Sequence, residues 1–249
     1  LERSELAILN GDDPDISSTR SSWGQGRVNW VSTGPDHATS TPVRLHVNNE
    51  GWVCEGERNL FVADALAMPG AHNLQNMLLV TAAALEAGLR PETIESALRC
   101  FEGVPHRLES LGSVQGIPVF NDSKATNYDA AAVGLRSVPG PVVLLAGGQT
   151  KQGDAQSWLE LLHERSSAVV LFGAGADELR CLIEASAFSG DVTIHNGLDE
   201  AVPHALELAR QQKAASVLLS PACASFDQYS DFEARGNHFR ELIEARKSH

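Results

Sequence analysis

A regular alternation of short apolar stretches and amphipathic helical patterns fills the second half of the chain and constrains its fold most strongly. From about Gly103 onward, apolar runs that include PVF, VVLLA, AVVLF and SVLLS are each followed by a helical pattern. Strands that alternate with helices form βαβ units, whose strands are parallel and covered by helices on both faces. The sequence therefore predicts an α/β, Rossmann-like domain with a mostly parallel sheet over residues 104–249.

The first part of the chain, residues 1–103, has a different texture and is predicted to be a separate domain. It begins with strand-like segments such as LAILN, RVNWVS and RLHV. Two helical patterns follow, one that stops at Gly88 and one with Pro91 in its first turn, where proline is tolerated. Asn73 is interpreted as the residue that caps the first of these helices. The boundary falls near Val104, with no long linker.

Composition limits the partners and the compartment. The 249 residues carry a formal net charge of −13, which argues against nucleic acid and anionic membranes as partners. No run of 18 apolar residues and no signal peptide is present, so neither membrane insertion nor secretion is expected. The four cysteines and nine histidines show no zinc-ligand spacing, which favours a reduced, cytoplasmic setting without a metal site. The chain opens on Leu1, directly before a strand pattern, and we expect it to be part of a longer polypeptide.

Three polar loops follow three of the predicted strands. They read NDSKATN, GGQTK and PACAS, and the carboxyl ends of parallel strands share one edge of a sheet. The cations and hydroxyls of these loops suit a small ligand with carboxylate or phosphate groups; they are Lys124, Lys151, Thr126 and Ser225. Alternatively, Asp122, Ser123 and Ser225 each merely cap a helix, but three such loops in phase favour a shared site.

Other motifs are weaker. FGAGADE contains Gly173 and Gly175 of a dinucleotide fingerprint without its third glycine, and we interpret it as a tight strand-to-helix turn. Asn73 and Asn76 lie one helical turn apart and could together address a purine edge. Arg107, near the domain boundary, either reaches a phosphate or is simply solvated. No GxxxxGK[ST] phosphate-binding loop occurs in the sequence.

Four strings carry a family resemblance. GVPHRLE, NDSKATN, LLAGGQTKQGD and LLSPACASFDQYSDFEARGNHF, in this order and spacing, resemble the Mur ligases of peptidoglycan synthesis. The resemblance covers essentially the whole chain. It implies that residues 1–103 are the later part of the central ATP-binding domain and that residues 104–249 are the C-terminal, amino-acid-binding domain. Within the family, the strings look most like the members that add D-glutamate.

The resemblance also implies roles for individual residues. For ATP, it assigns Asn73 and Asn76 to the adenine, Asp122 to the ribose and Arg107 to the phosphates. For D-glutamate, it assigns Thr126, Lys151, Ser225 and the backbone around Phe226 and Phe232, with Lys124 close to the same site. It assigns no catalytic residue and no metal ligand to this chain.

The implied reaction joins D-glutamate to UDP-N-acetylmuramoyl-L-alanine through an acyl phosphate made with ATP and Mg²⁺. The phosphate-binding loop and the magnesium ligands would precede Leu1, so we expect a monomeric chain that is inactive alone. Two alternatives stay open. The parent ligase could add a different amino acid, or the chain could be a non-catalytic module that binds a small acidic molecule.

Overall fold

The computed structural model describes residues 6–18, 27–34, 43–68, 70–101 and 103–247. The chain divides into two compact units, Leu1–Glu102 and Gly103–His249. Each unit has its own sheet and its own apolar core.

The first unit has a five-stranded sheet in the order β1-β2-β3-β4-β5. Its strands are β1 (Leu6–Asn10), β2 (Arg27–Ser32), β3 (Leu45–Val47), β4 (Trp52–Glu55) and β5 (Arg58–Val62), and its helices are α1 (Pro14–Ser18), α2 (Ala71–Glu86) and α3 (Pro91–Arg99). Strands β1 to β3 are parallel, whereas β4 and β5 pair in antiparallel fashion.

Helix α2 corrects one expectation from the sequence. Its N-cap is Gly70, with φ of 104°, and Asn73 lies inside the first turn, where its side chain is buried. The helix buries Met77 and Leu78 against the sheet and is followed by Gly88 at φ of 83°. Asn73 is therefore not the cap. Its burial fits a packing role in the first turn of the helix.

The second unit has a six-stranded sheet in the order β10-β9-β8-β11-β7-β6. Its strands are β6 (Glu109–Val114), β7 (Ile117–Asn121), β8 (Val142–Gly147), β9 (Ser166–Phe172), β10 (Asp191–His195) and β11 (Ser216–Leu219). Its helices are α4 (Tyr128–Ser137), α5 (Gln156–Arg165), α6 (Ala176–Ala185), α7 (Leu198–Gln212) and α8 (Phe232–Lys247). All pairings are parallel except that of β6 with β7.

Helices cover both faces of this sheet, which confirms the predicted α/β class. Leu144 of β8 packs in a core with residues of α4, α5 and α6, while its neighbour Leu145 packs with residues of α7 and α8. Successive strand residues point to opposite faces, so β8 is apolar throughout because both of its faces are buried.

The sheet order creates a position where helices diverge. Strand β11 lies between β7 and β8 and leads to α8 on one face, whereas β7 and β8 lead to α4 and α5 on the other. In open α/β sheets, ligands bind at such switch points, outside the carboxyl ends of the strands. The three polar loops follow β7, β8 and β11, the strands that define this point.

Candidate functional site

The loops after β8 and β11 are tied together by backbone hydrogen bonds. Gln149 and Ala224 form an isolated antiparallel bridge, with N–O distances of 2.8 and 2.9 Å. The Gly147 amide donates to the carbonyl of Pro221 at 2.9 Å. The two loops therefore form one continuous floor beyond the ends of the strands.

Arg235, on α8, joins this floor to the third loop. Its side chain is fully buried, and Nη2 donates to the carbonyl of Ser123 at 2.8 Å. Nη1 donates to the carbonyls of Gly147 at 3.3 Å and Cys223 at 3.1 Å. One guanidinium thus holds the loops after β7, β8 and β11 in a single arrangement.

The buried guanidinium also places positive charge beneath the site. Burial lowers the pKa of Arg235 to about 10, so the group remains charged at neutral pH. Among the described residues, its hydrogen-bond acceptors are carbonyls and a hydroxyl, and no carboxylate bonds to it directly. A cation that is buried without a bonded counter-charge attracts an anionic ligand at the loops above it.

Ser123 connects Arg235 to an aromatic residue at the start of α8. Its hydroxyl accepts from Arg235 Nε at 3.0 Å and donates to the carbonyl of Phe232 at 2.8 Å. Lys124 Nζ lies 5.6 Å from the centroid of the Phe232 ring, within the range of a cation–π contact. Two sequence-predicted residues, Lys124 and Phe232, are therefore in direct contact.

Asp122 is buried, and its carboxylate is engaged within the protein. Oδ1 accepts from the Leu108 amide at 3.1 Å and Oδ2 accepts from the Ser220 hydroxyl at 2.9 Å. Burial raises the pKa of Asp122 to about 7, although the Ser220 hydrogen bond, the Leu108 amide and the Arg107 charge each act to lower it. The structure therefore brings Asp122 within electrostatic reach of Arg107, the other residue assigned to the nucleotide in this unit.

The helix-cap alternative for these loops is not supported. The side chain of Asn127 caps α4 by accepting from the Ala130 amide at 2.8 Å, and Asp231 accepts from the Ala234 amide at 2.7 Å in the first turn of α8. Asp122 and Ser123 are buried instead against other elements of the second unit.

The remaining predicted residues differ in exposure. In the second unit, Lys124, Lys151, Arg107 and Phe226 are exposed, Thr126 and Phe232 are half-buried, and Ser225 is buried. Phe226 is 69% exposed, which is unusual for an aromatic side chain and leaves it open to a ligand.

In the first unit, Asn73 is buried and Asn76 is exposed, so the two amides are not equivalent. The neighbouring Gln75 contacts Asp12, which also accepts from Ser32 Oγ at 2.6 Å and from the Thr33 amide at 2.7 Å. Burial raises the pKa of Asp12, but these hydrogen bonds outweigh it and the net shift is downward. The Asp12 network therefore fixes the N-terminal part of α2 to the carboxyl edge of its sheet.

Sequence reasoning missed a second polar network, centred on His106. His106 has φ of 62° and is buried, and its Nδ1 accepts a hydrogen bond from Asn121 Nδ2 at 3.0 Å. The same Nδ2 group donates to Glu109 at 3.2 Å and to the Gly236 carbonyl at 3.1 Å. A Cβ on Gly236 would lie 2.2 Å from His106 Nδ1, so only glycine fits there.

The loop after β9 is not a dinucleotide site, in agreement with its interpretation as a tight turn. The Ala174 amide, which a pyrophosphate would need, donates to Asp227 Oδ2 at 2.9 Å. A Cβ on Gly173 would lie 2.5 Å from the same oxygen. The protein's own carboxylate therefore occupies the anion position at the start of α6.

Across the described ranges, no group of three or more His, Cys, Asp or Glu side chains is arranged to hold a metal ion. In the same part of the chain, no helix is both long and apolar enough to cross a bilayer.

Sequence comparisons find relatives over almost the whole chain. No family model matches the chain. The UDP-N-acetylmuramoylalanine-D-glutamate ligase of Synechococcus sp. (strain CC9605) is 59% identical over 243 residues, which is 98% of this chain and 52% of the relative. The ligases of the same name from Prochlorococcus marinus (strain MIT 9313) and Synechococcus elongatus are 58% and 45% identical, again over 98% of this chain.

Solved structures show the same fold at low sequence identity. MurF from Acinetobacter baumannii aligns with a TM-score of 0.59 and 18% identity, over 98% of this chain and 52% of that one. A Mycobacterium tuberculosis folylpolyglutamate synthase complexed with ADP aligns with a TM-score of 0.62 and 14% identity, over 95% of this chain and 55% of that one.

The chain is therefore similar, over 98% of its length, to ligases of the Mur family. Within that family, the relatives that it matches at 45% to 59% identity are named D-glutamate ligases. The chain spans about half the length of these curated relatives.

Proposed function

We propose that this chain is the part of a D-glutamate-adding ligase that completes the nucleotide site and binds the incoming amino acid. The observation that carries the proposal is the 59% identity that extends over 98% of the chain and so includes all three loops. The buried Arg235 beneath those loops adds a physical reason for an anionic ligand at this edge.

In this proposal, residues 104–249 are the amino-acid-binding domain. Lys151 and Thr126 follow β8 and β7 and hold the carboxylates of D-glutamate, together with Ser225 after β11. A lysine and hydroxyls complement carboxylates through charge-assisted hydrogen bonds. Phe226, in the loop after β11, and Phe232, at the start of α8, offer backbone and ring surface to the ligand. Lys124 lies beside Phe232.

Residues 1–103 are the later part of the ATP-binding domain. Asn76, exposed in the second turn of α2, is the better placed of the two amides for direct contact with an adenine. Asn73 is buried one turn earlier and supports the contact surface. In the second unit, Arg107 and Asp122 are the proposed nucleotide residues: the exposed Arg107 guanidinium binds a phosphate, and the buried Asp122 lies within electrostatic reach of it.

The proposed reaction converts the carboxylate of UDP-N-acetylmuramoyl-L-alanine to an acyl phosphate with ATP, and the amine of D-glutamate then displaces the phosphate. The residues of this chain contribute by binding and orienting the amino acid, since holding two reactants in attack geometry removes much of the entropic barrier. Magnesium would accompany the nucleotide, but the described residues offer no cluster to hold it, so no metal ligand is assigned here. We propose a cytoplasmic location, because the proposed reaction uses ATP and a UDP-linked substrate.

Direct binding tests the amino-acid site. Calorimetric titration of the chain with D-glutamate is expected to show saturable binding that is weaker for L-glutamate. Lys151→Gln is expected to weaken it by about ten- to a hundredfold, the equivalent of one charge-assisted contact. Lys213→Gln is the matched control. Lys213 follows α7 at the amino end of β11, whereas the site lies at the carboxyl ends of the strands. Equal loss in both variants, or no binding to the unsubstituted chain, contradicts the proposal.

A further inference from the structure

The residues assigned to the three loops include no partner for the ammonium group of an amino-acid ligand. D-glutamate carries two carboxylates and one ammonium group. The carboxylates are bound by the cations and hydroxyls of the loops, but none of these side chains is an anion; they are Lys124, Lys151, Thr126 and Ser225. A desolvated ammonium without an acceptor would weaken binding, and an acidic side chain at the same rim would satisfy both its hydrogen bonds and its charge.

Glu178 occupies such a position. It lies in the first turn of α6, is exposed, and accepts a hydrogen bond from Thr150 Oγ1 at 2.7 Å. Thr150 directly precedes Lys151 in the loop after β8. The Glu178 carboxylate is therefore held next to the residue that is proposed to bind a carboxylate of the substrate.

The start of α6 is locked against the loop after β8. The Gly175 amide donates to the carbonyl of Gly148 at 2.7 Å. A Cβ on Gly175 would lie 2.5 Å from Thr150 Cγ2 and 2.7 Å from the same carbonyl oxygen, so the two backbones approach as closely as glycine permits. This contact fixes the position of the start of α6, which carries Glu178. The hydrogen bond from Thr150 then fixes the position of the Glu178 carboxylate.

The charge of Glu178 acts on groups beyond its own helix. Burial raises the pKa of Cys223, in the loop after β11, to about 12, and the Glu178 charge contributes to the rise. Burial likewise raises the pKa of Tyr128, two residues after Thr126, and the charges of Cys223 and Glu178 add to it. The carboxylate is thus within electrostatic range of the loop after β11 and of the start of α4.

Neighbouring carboxylates are already committed within the protein. Asp122 is buried with both oxygens bonded, Asp227 accepts from the Ala174 amide, and Asp177 pairs with Arg180 at 3.0 Å. Glu178 differs because its partner is a neutral hydroxyl and its side chain is exposed.

We propose that Glu178, oriented by Thr150, accepts the ammonium group of the amino-acid substrate while Lys151 holds one of its carboxylates. The proposal rests on the proposed function, because it requires an amino acid at the three loops. It gives the site a cation and an anion on adjacent elements, which match a zwitterion and discriminate it from a simple dicarboxylate.

The test compares D-glutamate with glutarate, which has the same two carboxylates and no ammonium group. The unsubstituted chain is expected to bind D-glutamate about tenfold more tightly than glutarate, as one charged hydrogen bond would give. Glu178→Gln is expected to bring that ratio close to one while glutarate affinity stays the same or rises. Asp177→Asn removes the same charge from the adjacent position and is expected to keep the ratio.

The outcomes separate the two proposals. D-glutamate binding whose preference over glutarate survives Glu178→Gln, or is equally lost in Asp177→Asn, overturns the role of Glu178 alone. Failure of the unsubstituted chain to bind D-glutamate overturns the amino-acid site and this inference with it. Thr150→Val, which keeps the side-chain shape, provides a second variant should Glu178→Gln fail to fold. A preference that Thr150→Val leaves intact contradicts the proposed orientation of the carboxylate.

Discussion

Arg235 Nε donates to Ser123 Oγ across 3.0 Å, and the two residues come from α8 and from the loop after β7, 112 positions apart in the chain. The same Ser123 also accepts from Arg235 through its backbone carbonyl at 2.8 Å. This double contact holds the site together, because it connects the loop at the end of β7 to α8, the helix that follows the neighbouring strand β11. The arrangement of the loops is thus a property of the folded core and precedes any ligand.

Replacing Arg235 tests this coupling. Arg235→Met keeps much of the side-chain volume but leaves the carbonyls of Ser123, Gly147 and Cys223 without their donor. Each buried unpaired acceptor costs about 1–3 kcal/mol, partly offset because a charge no longer has to be buried. We expect a net loss of about 2–4 kcal/mol in the free energy of unfolding, measured with urea.

Arg210→Met is the matched control for that measurement. Arg210 pairs with Glu207 on the surface of α7 and contacts none of the three loops. It is expected to leave the urea midpoint unchanged. A midpoint that is equally insensitive to Arg235→Met would show that the guanidinium is not what holds the loops together.

Asp122 gives the chain a pH-dependent stability. Burial raises its pKa from 3.8 to about 7, so the folded state holds a proton that the unfolded state releases at lower pH. Its contribution is absent below about pH 4 and becomes increasingly destabilising up to about pH 7, by at most about 4 kcal/mol. Asp122→Asn, whose amide can still meet Leu108 and Ser220, is expected to remove this dependence.

The measurement is the difference in free energy of unfolding between Asp122→Asn and the unsubstituted chain at a series of pH values. That difference is expected to shift in favour of the variant as the pH rises from 4.5 to 7.5. The low-pH end serves as the internal control, since the carboxyl is neutral there in the folded state. A constant difference would mean that Asp122 does not titrate differently in the folded and unfolded chains.

Gly236 provides a test that opposes helix propensity. It lies inside α8, where alanine is ordinarily favoured over glycine by about 1 kcal/mol. Its added Cβ would meet the His106 ring at 2.2 Å, so Gly236→Ala is expected to lower the thermal midpoint. In a His106→Ala background the clash is gone, and the same change is expected to be neutral or stabilising. A higher midpoint for Gly236→Ala alone contradicts the close packing of His106 on α8.

The fold class and the three loops could be predicted from the sequence because they depend on local patterns. Buried strands such as β8 are apolar runs, and the residues after them lie at one edge of a parallel sheet whatever the detailed packing. Strand β6 was missed because ESLGSV contains Gly112 and two serines and pairs with a bulge. The turn at Gln115 and Gly116, with φ of 51° and 83°, was the available signal for that hairpin.

Arg235 and Glu178 could not be assigned from local patterns. Arg235 lies four positions before the buried Phe239, so the helical period places it on the inner face of α8, but its partners come from three distant loops. The partner of Glu178 is Thr150, 28 positions away. The capping role expected of Asn73 failed for a related reason, since Gly70, with φ of 104°, begins the helix one turn earlier than the polar pattern suggests.

The most direct test of the central claim is a chimaera. This chain would replace the matching 243 residues of the Synechococcus sp. (strain CC9605) relative, and the chimaera would be assayed with ATP and UDP-N-acetylmuramoyl-L-alanine. We predict D-glutamate-dependent release of phosphate. We also predict a product whose mass exceeds that of UDP-N-acetylmuramoyl-L-alanine by one glutamate residue. Lys151→Gln in the chimaera should raise the KM for D-glutamate by about ten- to a hundredfold, and Lys213→Gln should leave it unchanged. A folded chimaera that binds ATP yet forms no D-glutamate amide, or that prefers another amino acid, would contradict the account.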